Sequence, residues 1–147
     1  MKRLHPLSFL LLVAACGDAG DTGPVPIVWG SDACDHCRMI VSEPPFAAQA
    51  RFPAGKVEKY DDIGCLAHRL AAGAVPTEAW VAEAGTGKWL DAHRAFYFKG
   101  KDLKTPMASG LAAFGSATER DAFGKGKEGS SGAWAELPGM AGAAKGR

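Results

Sequence analysis

Hydrophobic and polar positions divide the chain into short segments of two periods. Phe46–Phe52 and Lys56–Tyr60 read as two strands around the turn Pro53-Ala54-Gly55-Lys56. In the segment that follows, Ile63, Leu66, Ala67 and Leu70 recur at helical spacing. Asp61 or Asp62 is placed to cap that helix and Gly73 to end it. Glu78–Ala84 alternates as a strand, Gly85-Thr86-Gly87 turns the chain, and Lys88–Ala92 returns. Ala95–Gly100 predicts another strand, and Ser109–Phe114 a further strand or a buried turn. Ser116 with Glu119 three residues later predicts a capped helix to Phe123, stopped by Gly124. A last strand is expected at Ala133–Leu137, with a disordered tail over 139–147. Strands thus lead into a helix twice. The order predicts an α+β fold, a single domain in which two similar small units share one core.

One apolar block does not fit that scheme. Lys2 and Arg3 precede an apolar run from Leu7 to Ala15. A bilayer span needs about 20 apolar residues, so the run suits a secretory signal over residues 1–15. It closes on Val13-Ala14-Ala15-Cys16, which resembles the lipobox of bacterial lipoproteins. That resemblance implies cleavage before Cys16, lipidation of Cys16 and a place on the periplasmic face of a bacterial membrane. Gly17 rather than an aspartate after the cysteine favours the outer membrane. Residues 16–30 then read as the lipidated cysteine and a flexible Gly/Pro/Asp-rich tether, with a short strand at Ile27–Trp29.

The charge balance narrows the partners. The chain has 17 basic and 16 acidic side chains, and loss of the signal removes Lys2 and Arg3. The balance becomes slightly acidic, with no basic face for nucleic acid. Three cysteines remain besides Cys16: Cys34, Cys37 and Cys65. An odd number outside the cytoplasm cannot all pair internally, which points to a free thiol or a metal ligand. The apolar stripe places Cys65 on the far side of its helix, sharing a face with His68. In the first helical turn its thiol would feel the positive end of the dipole, which favours thiolate.

The motif Cys34-Asp35-His36-Cys37-Arg38-Met39 admits several chemistries. Structural zinc takes four Cys or His ligands, and only Cys65 and His68 could complete such a set. A redox dithiol needs a helix after the motif, but Pro44 and Pro45 stand in the way. A disulfide between Cys34 and Cys37 would close a very small loop and stabilise little. Cu(I) is soft and prefers thiolate and thioether, which Cys34, Cys37 and Met39 supply together, with His36 between them. Met107, set between Pro106 and small residues, is a second exposed thioether or simple core filling.

Four segments together resemble the NosL family of membrane-anchored periplasmic copper lipoproteins. They are Asp32–Gln49, Lys59–Leu70, Lys88–Phe98 and Leu103–Ser116. The resemblance implies two small ββαβ-type units and a copper-binding domain over residues 31–138. It implies a Cu(I) carrier, not an enzyme, that serves nitrous oxide reductase or its maturation ABC transporter. The family's sulfur motifs fall on Cys34, Cys37, Met39 and Met107, and its Asp-Asp-x-Gly-Cys segment on Asp61, Asp62, Gly64 and Cys65. Some branches keep only the second cysteine, so Cys37 is the expected thiolate anchor and Met107 its thioether partner. Cys34, Met39 or His36 would complete a two- or three-coordinate site, with Cys65 in reserve as a ligand or disulfide partner. Arg38 and Ala108 stand where the family usually has glycine. The competing expectation is a periplasmic thiol–disulfide oxidoreductase using Cys34 and Cys37.

Overall fold

The computed structural model describes residues 22–142. Cys16, the signal, the start of the tether and the end of the tail lie outside the described residues. A four-stranded antiparallel sheet is built from β1 (Ala48–Arg51), β2 (Val57–Tyr60), β3 (Glu78–Ala82) and β4 (Trp89–Asp91), in the order β2-β1-β3-β4. A three-stranded antiparallel sheet is built from β5 (Phe96–Gly100), β6 (Leu111–Phe114) and β7 (Gly129–Gly132), in the order β6-β5-β7. Helix α1 (Ile63–Ala71) connects β2 to β3, and α2 (Ala117–Gly124) connects β6 to β7. Each half is therefore a ββαβ unit whose first strand lies between the other two, and the first unit adds β4. The two sheets meet where the Ala84 N–H donates to the Ala113 carbonyl at 2.8 Å.

The α+β expectation holds, and one main core spans both units. Ala48, Ala50, Tyr60, Ile63, Leu66 and Val81 from the first unit pack with Tyr97, Leu111 and Ala113 from the second. Phe98, Phe114 and Phe123 form a satellite cluster under α2. Among the described residues no helix is long and apolar enough to cross a membrane.

Three local expectations are corrected. Ile27–Trp29 is not a strand; the chain there runs into a turn over residues 29–32. The tether is tied down before residue 30: the Val25 N–H and carbonyl both bond the side chain of buried Gln49 at 2.9 Å. The expected strand at Ala133–Leu137 is a turn leading into a short helix, α3 (Leu137–Met140). Leu137, Met140 and Ala141 are buried in the main core, so the tail is packed over its first residues from 139. The strand lies earlier, at Gly129-Ser130-Ser131-Gly132, a sequence of low β propensity. Its glycines fit the packing: a Cβ on Gly129 would strike the Phe98 ring, and one on Gly132 would press on the Met140 sulfur.

Candidate metal centre

Cys34 and Cys37 lie on a tight loop just before the first sheet. The loop closes on itself where the Cys34 N–H donates to the Met39 carbonyl at 2.7 Å and the Arg38 N–H to the Cys34 carbonyl at 3.0 Å. It is fastened to β2 by Asp35, whose carboxylate accepts the Lys59 N–H at 2.9 Å. No helix follows the motif; Pro44–Phe46 form one 3-10 turn.

Helix α1 brings the third thiol. The start of the helix, Ile63–Ala67, is buried, with Ile63, Cys65, Leu66 and Ala67 in the main core alongside Leu137 and Met140 of α3. Cys65 is thus a core cysteine packed against the thiol loop, and its placement on an open far side is corrected. The sulfurs of Cys34, Cys37 and Cys65 all lie within 4.8 Å of one another. All three cysteines are free.

The charge within this trio is uneven. The Cys34 thiol is held down at about 5, first because the Cys65 thiol donates a hydrogen bond to it, with backbone N–H groups adding to the effect. One of these is the Cys37 N–H, at 3.5 Å from the sulfur. Cys65 is pushed up, first by that same bond to Cys34 and then by burial. Cys37 is pushed up chiefly by burial. The helix dipole expectation for Cys65 therefore fails: the hydrogen bond to Cys34 and burial outweigh the helix end. These directions favour thiolate on the fully buried Cys34, with the protons kept on Cys37 and Cys65 beside it.

Beside the trio lies a cavity of about 570 Å³, lined by Cys37, Cys65, His36, His68, Met107 and Ser109 among others. Met107 reaches it from the loop before β6, in the second unit. That loop is held by Asp62, the N-cap of α1. Its carboxylate accepts the Gly64 N–H at 2.6 Å, the Met107 N–H at 2.9 Å, the Thr105 hydroxyl at 2.6 Å and the Ser109 hydroxyl at 2.5 Å. Asp61 faces the other way and accepts the Ser42 N–H at 3.0 Å, beyond the thiol loop. Asp62 thus caps α1 and fixes the Met107 loop, while Asp61 holds the chain after the thiol loop at Ser42. Gly64 has no room for a side chain, since a Cβ there would strike Ser109.

Of the ligand candidates singled out in the sequence, Cys37, Cys65, His36 and Met107 line the cavity, and Cys34 is fully buried and does not. Met39 does not line the cavity; its side chain is exposed to 44% and its role in the loop is through its carbonyl. In the sequence, His68 stood out as a neighbour of Cys65 on its helix and as a candidate to complete a zinc set with it; it lines the cavity. Its ring stacks on His36, with centroids 5.6 Å apart and planes 11° from parallel. Burial holds the His68 imidazole below its ordinary range, keeping it neutral and able to donate a lone pair. Thr105 and Ser109 gave no sequence signal beyond their nearness to Met107.

The two positions at which the resemblance leads to an expectation of glycine have the backbone that glycine favours. Arg38 has φ 68° and Ala108 has φ 54°, both left-handed. These residues directly follow Cys37 and Met107.

The sequence model of the NosL family matches residues 25–141. The chain belongs to the NosL family. Its fold is similar to the crystal structure of the copper chaperone NosL from Shewanella denitrificans, with a TM-score of 0.68 at 17% identity. That likeness covers 77% of this chain and 94% of the other. Among curated proteins none matches. A NosL fold carrying three clustered cysteines that could hold a metal ion is the common ground of these observations.

Proposed function

We propose that this NosL protein is a carrier of Cu(I), lipid-anchored at Cys16 on the periplasmic face of the membrane, and not an enzyme. It would load copper in the periplasm and release it for the copper centres of nitrous oxide reductase, directly or through the reductase's maturation transporter. The observation that carries this reading is a cluster of three thiols, two of which line a cavity together with Met107. Thiolate and thioether are the ligands that select a soft monovalent copper. Zinc would accept the thiols, but it gains nothing from a thioether.

Cys37 is the ligand through which copper would enter and leave, because it is half-buried and lines the cavity while Cys34 is sealed off. Met107 comes from the opposite unit, so an incoming thiol or imidazole can add from the open side before a bond to the carrier breaks. The oxidoreductase reading loses support from the same geometry. A dithiol catalyst attacks with an exposed, easily ionised cysteine. Here the readily ionised thiol is buried and the accessible one is the harder to ionise.

The test is an anaerobic competition titration of the reduced full-length protein with Cu(I). Binding weakened in Cys37→Ser and in Met107→Ala supports the reading; unchanged binding in both overturns it. Transfer is tested by mixing copper-loaded protein with copper-free nitrous oxide reductase and measuring the metal each retains. Membrane attachment is tested by Cys16→Ser, which should move the protein to the soluble fraction.

A further inference from the structure

Five large apolar side chains are exposed among the described residues, and four of them stand in one loop. They are Val28, Trp29, Met39 and Ile40; the fifth, Val75, lies apart, after α1. Backbone bonds draw the two ends of the loop together. The Gly30 N–H donates to the Val41 carbonyl at 2.9 Å, the Val41 N–H donates to the Asp32 carbonyl at 2.8 Å, and Ala33 pairs with Ile40. Val28–Trp29 and Met39–Ile40 are therefore neighbouring runs and not scattered residues. Single exposed apolar side chains are ordinary, but a grouped set marks a surface that something covers. We infer that this patch is a second point of membrane contact, resting in the headgroup region of the bilayer that holds Cys16.

Three observations select a bilayer over a protein partner. The first is where the chain comes from. Thr22, the first described residue, is the sixth after Cys16, and Val28 is the sixth after Thr22. Between them the Gly23 carbonyl and the Val25 backbone are fastened to Arg51 and Gln49 of β1, so the point of arrival is fixed. Lipid attached at Cys16 thus keeps the bilayer at high effective concentration beside the patch. The second is composition. Tryptophan favours the interface between membrane and water, its ring in the apolar side and its N–H towards water. Val28, Met39 and Ile40 add apolar area around it. The third is charge. Both carboxylates of the loop are taken up by lysines, Asp32 by Lys59 at 2.6 Å and Asp35 by Lys56 at 2.8 Å. Arg38 is exposed beside Met39 and makes no ion pair among the described residues. Its guanidinium suits anionic headgroups. The acyl chains supply attachment and the patch supplies orientation: Cys34 and Cys37, which lie within this loop, are held against the bilayer surface.

This inference rests on the lipid anchoring proposed for Cys16, and one experiment separates their fates. The mature lipidated protein is mixed with vesicles of phosphatidylethanolamine and phosphatidylglycerol, with plain or brominated acyl chains, and tryptophan emission is recorded. Of the four tryptophans only Trp29 is exposed. The expected result is a blue-shifted component that brominated lipid quenches and that Trp29→Phe removes. Val28→Ser combined with Ile40→Ser should lose most of that quenching while the protein still floats with the vesicles and takes up Cu(I) as before. Flotation with Trp29 unquenched overturns the patch contact and leaves the anchor intact. Trp29 shielded from aqueous iodide yet unquenched by brominated lipid also overturns it, and assigns the patch to a second copy or another protein. Failure to float overturns anchor and contact together. If Trp29→Phe proves unfolded by circular dichroism, the serine pair decides.

Discussion

The Asp62 carboxylate accepts the backbone N–H of Met107 at 2.9 Å, across 45 positions of sequence. The same oxygen atom accepts the Thr105 hydroxyl at 2.6 Å. A residue that begins a helix in the first unit therefore sets the place of a thioether in the second.

Replacing Asp62 by alanine removes the α1 cap and leaves the donors of Thr105, Ser109 and Met107 without their acceptor. A lost cap costs about 1 kcal/mol and each buried orphan donor about 1–3 kcal/mol. We expect a urea midpoint lowered by an amount corresponding to several kcal/mol. Asp62→Asn, which keeps one carbonyl oxygen, should fall between. In variants that still fold, Cu(I) affinity should drop although no ligand was changed.

Gly64→Ala should destabilise, although alanine is the better helix former. The helix gains about 1 kcal/mol in propensity, but overpacking against Ser109 costs about 1–3 kcal/mol. The cause is local, so Ser109→Gly in the same chain should recover much of the loss. Equilibrium unfolding of the two single variants and the double variant forms a closed cycle that measures this coupling.

Arg38→Gly and Ala108→Gly should each stabilise the protein. A left-handed residue with a Cβ pays about 1–2 kcal/mol, part of which glycine returns through its greater freedom when unfolded. The expected gain is a few tenths to about 1 kcal/mol per site, read as a higher thermal midpoint. Because both residues adjoin sulfur donors, each variant should also be titrated with Cu(I). Relief of strain alone leaves the affinity unchanged.

The thiol trio predicts a dependence of apo stability on pH. Cys34 is depressed from 9.0 to about 5, so between these values the unfolded chain carries a proton that the native one lacks. Stability from this group is full above pH 9 and is lost as pH falls through 5. Cys37 and Cys65 are raised, so above pH 9 the native state retains protons that the unfolded chain releases. Their contribution is lost on that side. Thermal midpoints of the reduced metal-free protein should rise from pH 5 towards 9 and fall beyond it. Cys34→Ser should flatten the rise, and thiolate absorbance in the native protein should show one group titrating near 5.

Much of this arrangement could be read from residue pattern, and the exceptions have physical reasons. The strand and helix order was visible because Glu78–Ala82 alternates, Phe96–Gly100 is rich in aromatic strand formers, and Asp62 and Ser116 mark helix starts. The side of Cys65 was not, because periodicity presumes one covered face, and the first turn of α1 is covered on every side. Strand β7 escaped because Gly129 and Gly132 lack side chains in order to fit under Phe98 and Met140. That requirement belongs to partners distant in sequence. Met39 stood in the sulfur motif, yet the turn that presents Cys37 faces it outwards, and spacing alone does not record such a reversal.

The bonds that hold Val25 to Gln49, with the Gly23 carbonyl accepting from Arg51 at 2.9 Å, set a working radius for the molecule. On the proposed anchoring at Cys16, the chain from that residue to Gly23 can span at most about 25 Å. The proposed mooring would then keep the cavity within roughly the protein's own depth of the bilayer. A recipient that brings its metal-accepting face down to that shallow zone can be served without the carrier ever letting go of the lipid.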